Sequence, residues 1–77
     1  MTIPQKISVF GATGSIGEST IDLLLSTPAL FEVIALTAKK NARKLAELAI
    51  KTKAKYAVIE DTDQYPVLQK ILEGTNI

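Results

Sequence analysis

Short apolar runs rich in β-branched residues alternate along the chain with stretches whose apolar positions recur every three or four residues, a pattern that predicts β-α-β-α-β-α. The first strand is read from Lys6 to Phe10, where Ile7, Val9 and Phe10 are apolar enough to suit a central strand covered on both faces. A helix follows from about Ser15 to Leu25, with Ile16, Thr20, Leu23 and Leu24 near one face. Ser26-Thr27-Pro28 ends it, because proline disfavours helix in the residue before it. The second strand is Val33 to Thr37. Asn41 then offers an N-cap to a second helix reaching about Thr52, whose Leu45, Leu48, Ala49 and Thr52 fall at i, i+3, i+4 and i+7 while Lys44, Glu47 and Lys51 face water. The third strand is Tyr56 to Ile59. After the turn Glu60-Asp61-Thr62-Asp63, a last helix carries Val67, Leu68, Ile71 and Leu72 and is ended by Gly74.

No internal repeat or low-complexity linker interrupts the alternation, so residues 1–77 read as part of one domain. Parallel strands joined by helices need right-handed crossovers, which extends the sheet outward from strand one in the order 3-2-1. This is the first βαβαβα half of a Rossmann-like α/β fold, a three-layer sandwich around a parallel sheet. Nine Lys and Arg against eight Asp and Glu leave a net charge of +1, far from the basic balance of a nucleic-acid binder, so no nucleic-acid partner is expected. The lack of Cys and His removes disulfides, thiolate metal sites and the commonest acid-base side chain. The longest apolar runs, such as Val33-Ile34-Ala35-Leu36, fall far short of the ~20 residues that cross a bilayer. The start, Met1 to Lys6, lacks the pattern of a secretory leader or transit peptide, and a cytoplasmic chain with no membrane partner is the expectation.

The chemistry concentrates in Gly11-Ala12-Thr13-Gly14-Ser15-Ile16-Gly17, which joins the first strand to the first helix. Glycines allow the tight turn, their missing Cβ lets backbone N–H groups approach a pyrophosphate, and the free N–H groups of the helix's first turn supply positive potential. The first interval is one residue longer than in Gly-x-Gly-x-x-Gly, so context carries the reading. A P-loop is ruled out, since Gly17 is followed by Glu18 and no lysine is placed for β and γ phosphates. The structural alternative is a glycine turn that only brings helix and strand together. In the binding reading Gly11 makes the turn, Gly14 exposes backbone N–H groups, Thr13 and Ser15 add hydroxyls, Ile16 combines a backbone donor with core packing, and Gly17 permits helix–strand contact.

The end of strand two selects between the nicotinamide cofactors. An Asp or Glu about 20 residues beyond the glycines would hold a ribose 2′-OH. Here Thr37-Ala38-Lys39-Lys40-Asn41-Ala42-Arg43 has no acid and places cations and an amide at the start of helix two, which suits the 2′-phosphate of NADPH by charge and by the helix N-terminus. A solvated basic turn is the alternative for Lys39, Lys40 and Arg43. Asp61 and Asp63 read as a turn and helix cap rather than a metal or acid-base pair. Tyr56 and Tyr65 have Glu60 and Gln69 four residues on, so the Tyr-Lys dyad of short-chain dehydrogenases is absent. Asp22 and the Lys51, Lys53 and Lys55 cluster read as solvated surface.

The glycine run with its continuation Ser19-Thr20-Ile21-Asp22, then Val33-Ile34-Ala35-Leu36 leading to Lys40-Asn41, then Lys55-Tyr56-Ala57-Val58 closing with Asp61, resembles the amino-terminal segment of the 1-deoxy-D-xylulose 5-phosphate reductoisomerase family. The resemblance implies that Thr13, Gly14, Ser15, Ile16, Lys40 and Asn41 bind NADPH. Lys39 is a departure, because the family usually has Gly before the Lys-Asn pair, and its side chain would add a phosphate contact or disturb a backbone one. The resemblance also implies a longer enzyme, typically a homodimer. Its catalytic domain would hold a divalent metal, Mg or Mn, and the sugar-phosphate substrate, with catalytic and metal residues outside this chain. The implied reaction is rearrangement of 1-deoxy-D-xylulose 5-phosphate and its reduction to 2-C-methyl-D-erythritol 4-phosphate in non-mevalonate isoprenoid biosynthesis. Two rivals remain on sequence: another NADP-dependent oxidoreductase with a Gly-Ala-Thr-Gly loop, such as a semialdehyde dehydrogenase, and a nucleotide-sensing module without catalysis.

Overall fold

The predicted alternation becomes a parallel three-stranded sheet with helices packed against it. The computed structural model describes residues 3–77; Met1 and Thr2, at the start of the segment read above for a leader, lie outside the described residues. In chain order the elements are β1 (Gln5–Val9), α1 (Ser15–Ser26), β2 (Phe31–Ala38), α2 (Ala42–Thr52), β3 (Tyr56–Ile59), a 3₁₀ turn (Thr62–Gln64) and α3 (Tyr65–Ile71). The strands lie in the order β1-β2-β3, the predicted 3-2-1 seen from its other edge. β1 runs parallel to β2 from Gln5↔Phe31 to Val9↔Leu36, with an irregularity between Ile7 and Ser8, and β2 runs parallel to β3 from Ala35↔Tyr56 to Ala38↔Ile59.

One apolar cluster joins all the layers: Val9, Val33, Leu36 and Ile59 from the sheet meet Ile21 and Leu24 of α1, Leu45 and Leu48 of α2, and Leu68 of α3. α2 buries the predicted Leu45, Leu48 and Ala49, and Ala42 and Ala46 fill the gaps where the helix lies closest to the strands. Its end is marked by no glycine; Lys53 itself turns left-handed, at φ 56°, and the Ala54 N–H bonds the Ala49 carbonyl.

Two expectations are corrected. β1 is an edge strand among the described residues, with Gln5, Lys6 and Ser8 exposed, because no described strand pairs with its far side. Phe10, just past it, is 81% exposed, and with Tyr56 and Val58 it leaves apolar surface uncovered. The inward face of α1 is Gly17, Ile21 and Leu24: Leu24 is buried as expected and Thr20 half-buried, but Ile16 and Leu23 are exposed and Gly17 and Ile21 take their place. Gly17 sets that rotation by packing its bare Cα against Ala12, and at 3.6 residues per turn this carries Ile16 and Leu23 outward. Ile16 is 84% exposed, so the expected core packing of its side chain does not occur.

Candidate functional site

The glycine loop leaves the carboxyl end of β1, and the basic turn leaves the carboxyl end of β2, so the two segments share the carboxyl end of the sheet. Open parallel sheets bind ligands at this end. Gly11 sits at φ +69°, a left-handed conformation that disfavours a side chain. The Gly14 N–H closes the turn by donating to the Gly11 carbonyl oxygen at 3.1 Å. A Cβ on Gly17 would stand 2.8 Å from Ala12 Cα and collide with the Gly11 carbonyl oxygen. Only glycine lets the helix start this close to the loop. By contrast, a Cβ on Gly14 would meet the same oxygen at an ordinary 3.5 Å, at an unstrained φ of −78°.

α1 has Gly14 as its N-cap and no side chain capping it. Its first helical bond runs from the Glu18 N–H to the Gly14 carbonyl at 2.8 Å, which leaves the N–H groups of Ser15, Ile16 and Gly17 without intrahelical partners. Three free donors, the positive end of a 12-residue helix and the Ser15 hydroxyl next to them form an anion cradle. Gly14's own N–H is spent inside the turn, so the donors it uncovers belong to the residues after it.

The second segment is built differently. Asn41 caps α2, its Oδ1 accepting the Lys44 N–H at 3.1 Å, and the Ala42 N–H donates to the Lys40 carbonyl at 2.9 Å. The turn is anchored to the residues that follow β3, with the Lys39 carbonyl accepting the Asp61 N–H at 2.8 Å and the Ala38 carbonyl accepting the Glu60 N–H at 3.0 Å. Lys39 does not adopt positive φ: Lys53 is the one non-glycine residue that does so among the described residues. A side chain therefore fits at Lys39 without backbone strain.

Lys39, Lys40 and Arg43 are exposed, and none takes part in the three ion pairs of the described residues. Lys44, their neighbour, is paired: its Nζ lies 3.1 Å from Glu18 Oε1 in the first turn of α1. That hydrogen bond, and then the Glu18 charge, hold the Lys44 pKa above the usual lysine value. Asp61 serves as a turn cap, its carboxylate accepting the Asp63 N–H at 3.0 Å, as predicted. Among the described residues no three His, Cys, Asp or Glu side chains come together to hold a metal, and no helix is long and apolar enough to cross a membrane.

The sequence reading passed over Thr37. Its side-chain oxygen accepts the Gly11 N–H at 3.1 Å and its carbonyl accepts the Ala12 N–H at 2.8 Å, so β2 holds the loop at two successive peptides. A hydroxyl residue at the end of a strand gives no signal of this kind, because the contact spans 26 positions of sequence.

The family model for 1-deoxy-D-xylulose 5-phosphate reductoisomerase matches residues 7–77. The enzyme of that name from Zymomonas mobilis is 46% identical over the whole of this chain, and the one from Rhodopseudomonas palustris is 47% identical over 95% of it. The chain spans about a fifth of the length of these relatives. Among solved structures, the Zymomonas mobilis enzyme in complex with NADPH superimposes with a TM-score of 0.96 at 45% identity, over 97% of this chain and 20% of that one. A reductoisomerase in complex with magnesium gives 0.81 at 30% identity, over 91% of this chain and 17% of that one.

Proposed function

Because the chain belongs to the 1-deoxy-D-xylulose 5-phosphate reductoisomerase family, we propose that it holds NADPH for that enzyme, as the amino-terminal part of its Rossmann-like cofactor domain. The observation that carries the reading is the uncapped start of α1: three free N–H groups beside a left-handed glycine, at the end of the sheet that also bears three unpaired cations. The pyrophosphate lies on the loop, with Thr13, Gly14, Ser15 and Ile16 around it. Ile16, turned outward, offers an aliphatic surface to the cofactor as well as its N–H. The 2′-phosphate meets Lys39 and Lys40, and the Asn41 amide nitrogen remains a donor while its oxygen caps α2.

Bound there, NADPH supplies the hydride for reducing the rearranged sugar phosphate, and this segment binds and orients it. In the proposed reaction the complete enzyme converts 1-deoxy-D-xylulose 5-phosphate to 2-C-methyl-D-erythritol 4-phosphate, as a cytoplasmic homodimer with no nucleic-acid partner. The divalent metal of that reaction does not fit the described residues, which bring no metal-ligating cluster together, and belongs to a catalytic domain outside this chain. Titrating the intact protein with NADPH and NADH tests the assignment. NADPH binds more tightly, and Lys40→Ala removes about tenfold or more of that preference, the loss expected for a charged phosphate contact. Equal affinity for the two cofactors, or a Lys40→Ala variant that keeps the preference, overturns it.

A further inference from the structure

We infer that Thr37 is a positioning residue for cofactor binding: its hydroxyl and carbonyl set the phosphate loop in its binding shape before any ligand arrives. The inference rests on the NADPH reading above and adds to it a residue that acts through the loop it holds. A peptide unit is planar, so fixing one N–H fixes the whole unit. Thr37 Oγ1 takes the Gly11 N–H at 3.1 Å and so orients the Phe10–Gly11 peptide; its carbonyl takes the Ala12 N–H at 2.8 Å and orients the Gly11–Ala12 peptide. These two units flank Gly11, whose φ of +69° is the conformation the loop depends on. A third bond, from the Gly14 N–H to the Gly11 carbonyl, then completes the turn. Thr37 thus supplies two of the three bonds that shape the loop, and β2 carries both.

The hydroxyl is not needed for the strand itself. Valine has the same shape and a comparable or better preference for sheet, so the Oγ1 contributes its bond to Gly11 and little else. Without that acceptor the loop samples other peptide orientations, and binding must first restore the productive one. The cost appears as weaker affinity for a ligand that uses the loop. The carbonyl bond survives any substitution, so the effect is partial.

The test uses the intact protein with Thr37→Val and Thr37→Ser, titrated with NADPH and with 2′-AMP, which carries the 2′-phosphate but no pyrophosphate. Thr37→Val weakens NADPH binding about three- to tenfold, the range of one lost neutral hydrogen bond. Thr37→Ser restores it, and both variants bind 2′-AMP like the parent. Amide exchange of the parent without ligand gives a second measurement that needs no variant to fold: Gly11 and Ala12 are protected already, whereas Ser15 and Ile16 gain protection only with NADPH. Unchanged NADPH affinity in Thr37→Val, equal losses in the Val and Ser variants, or unprotected Gly11 and Ala12 amides each overturn the proposal. A parent that fails to bind NADPH overturns the cofactor reading instead, and the exchange of Gly11 and Ala12 still reports on Thr37.

Discussion

Two helices begin at the same end of this sheet, and their first turns are made in opposite ways. α2 starts on Asn41, whose carboxamide takes the Lys44 N–H, and the Ala42 N–H is consumed by Lys40. α1 starts on Gly14, with no cap and three free donors. A side-chain N-cap is worth about 1 kcal/mol over Ala but only a few tenths over Gly. With Gly14 at its start α1 gives up little stability, and the donors it leaves open are what an anion can use. At α2 the donors are mostly committed, so phosphate recognition falls to the side chains of Lys39 and Lys40. One end binds with backbone and the other with charge.

The largest effect follows from breaking the close approach that the uncapped end requires. Gly17→Ala drives a Cβ against the Gly11 carbonyl and Ala12, backbone atoms with little room to yield, and is expected to destabilise the protein by about 3 kcal/mol in denaturant titration. A stability loss below about 1 kcal/mol would show that α1 can move away, and the close contact would lose its meaning. Next in size is Gly14→Asp, which converts α1 into a capped helix like α2. The site accepts a Cβ, and Asp as N-cap gains a few tenths of a kcal/mol over Gly. NADPH affinity falls at least about tenfold, because the carboxylate engages the donors and repels phosphate. Gain in Tm with loss of affinity separates the two functions of one helix end; a variant that gains both contradicts the comparison. The converse change, Asn41→Ala, costs about 1 kcal/mol of stability in the same titration and weakens 2′-AMP binding by about threefold, the loss of one amide donor beside the two lysines. A loss as large as that from Lys40→Ala would assign recognition to the α2 terminus rather than to the lysines.

The asymmetry was half visible in the sequence. Asn41 is a capping residue with a periodic helix behind it, so α2 and its cap could be read directly, and Gly14 in a glycine run marked the loop. The strand order also followed, because crossover handedness leaves few arrangements. The rotation of α1 does not follow: Leu24 is legible as a core residue, but so are Ile16 and Leu23, and only the close approach of Gly17 to Ala12 turns Ile21 inward in their place. The edge position of β1 among the described residues is likewise illegible, since its apolar residues do not reveal whether a neighbour covers them. Lys53 as a left-handed cap and Thr37 as the loop's anchor were missed because each depends on backbone geometry that residue type does not announce. What is legible rests on residue type, spacing and handedness; what is not rests on backbone conformation and on contacts, near or far in sequence, that residue type does not announce.

The smallest effect concerns the bridge between the two helix starts. Glu18 lies in the first turn of α1, where its charge favours the helix but repels an arriving phosphate, and Lys44 of α2 neutralises it at 3.1 Å. Both side chains are well exposed, so little stability is at stake. The Lys44 pKa is raised in the folded protein, so the pair's contribution is present below the ordinary lysine value of 10.5 and is lost as pH climbs through the higher folded value. Lys44→Met should therefore cost slightly in Tm at neutral pH, and the difference from the parent should vanish on the alkaline side. It should also weaken NADPH binding by about twofold at low ionic strength, with the deficit disappearing at ~1 M salt, where charges are screened beyond about 3 Å. A deficit that persists in salt would mean that Lys44 touches the cofactor directly, and the second helix start would then be contributing a third cation to phosphate recognition.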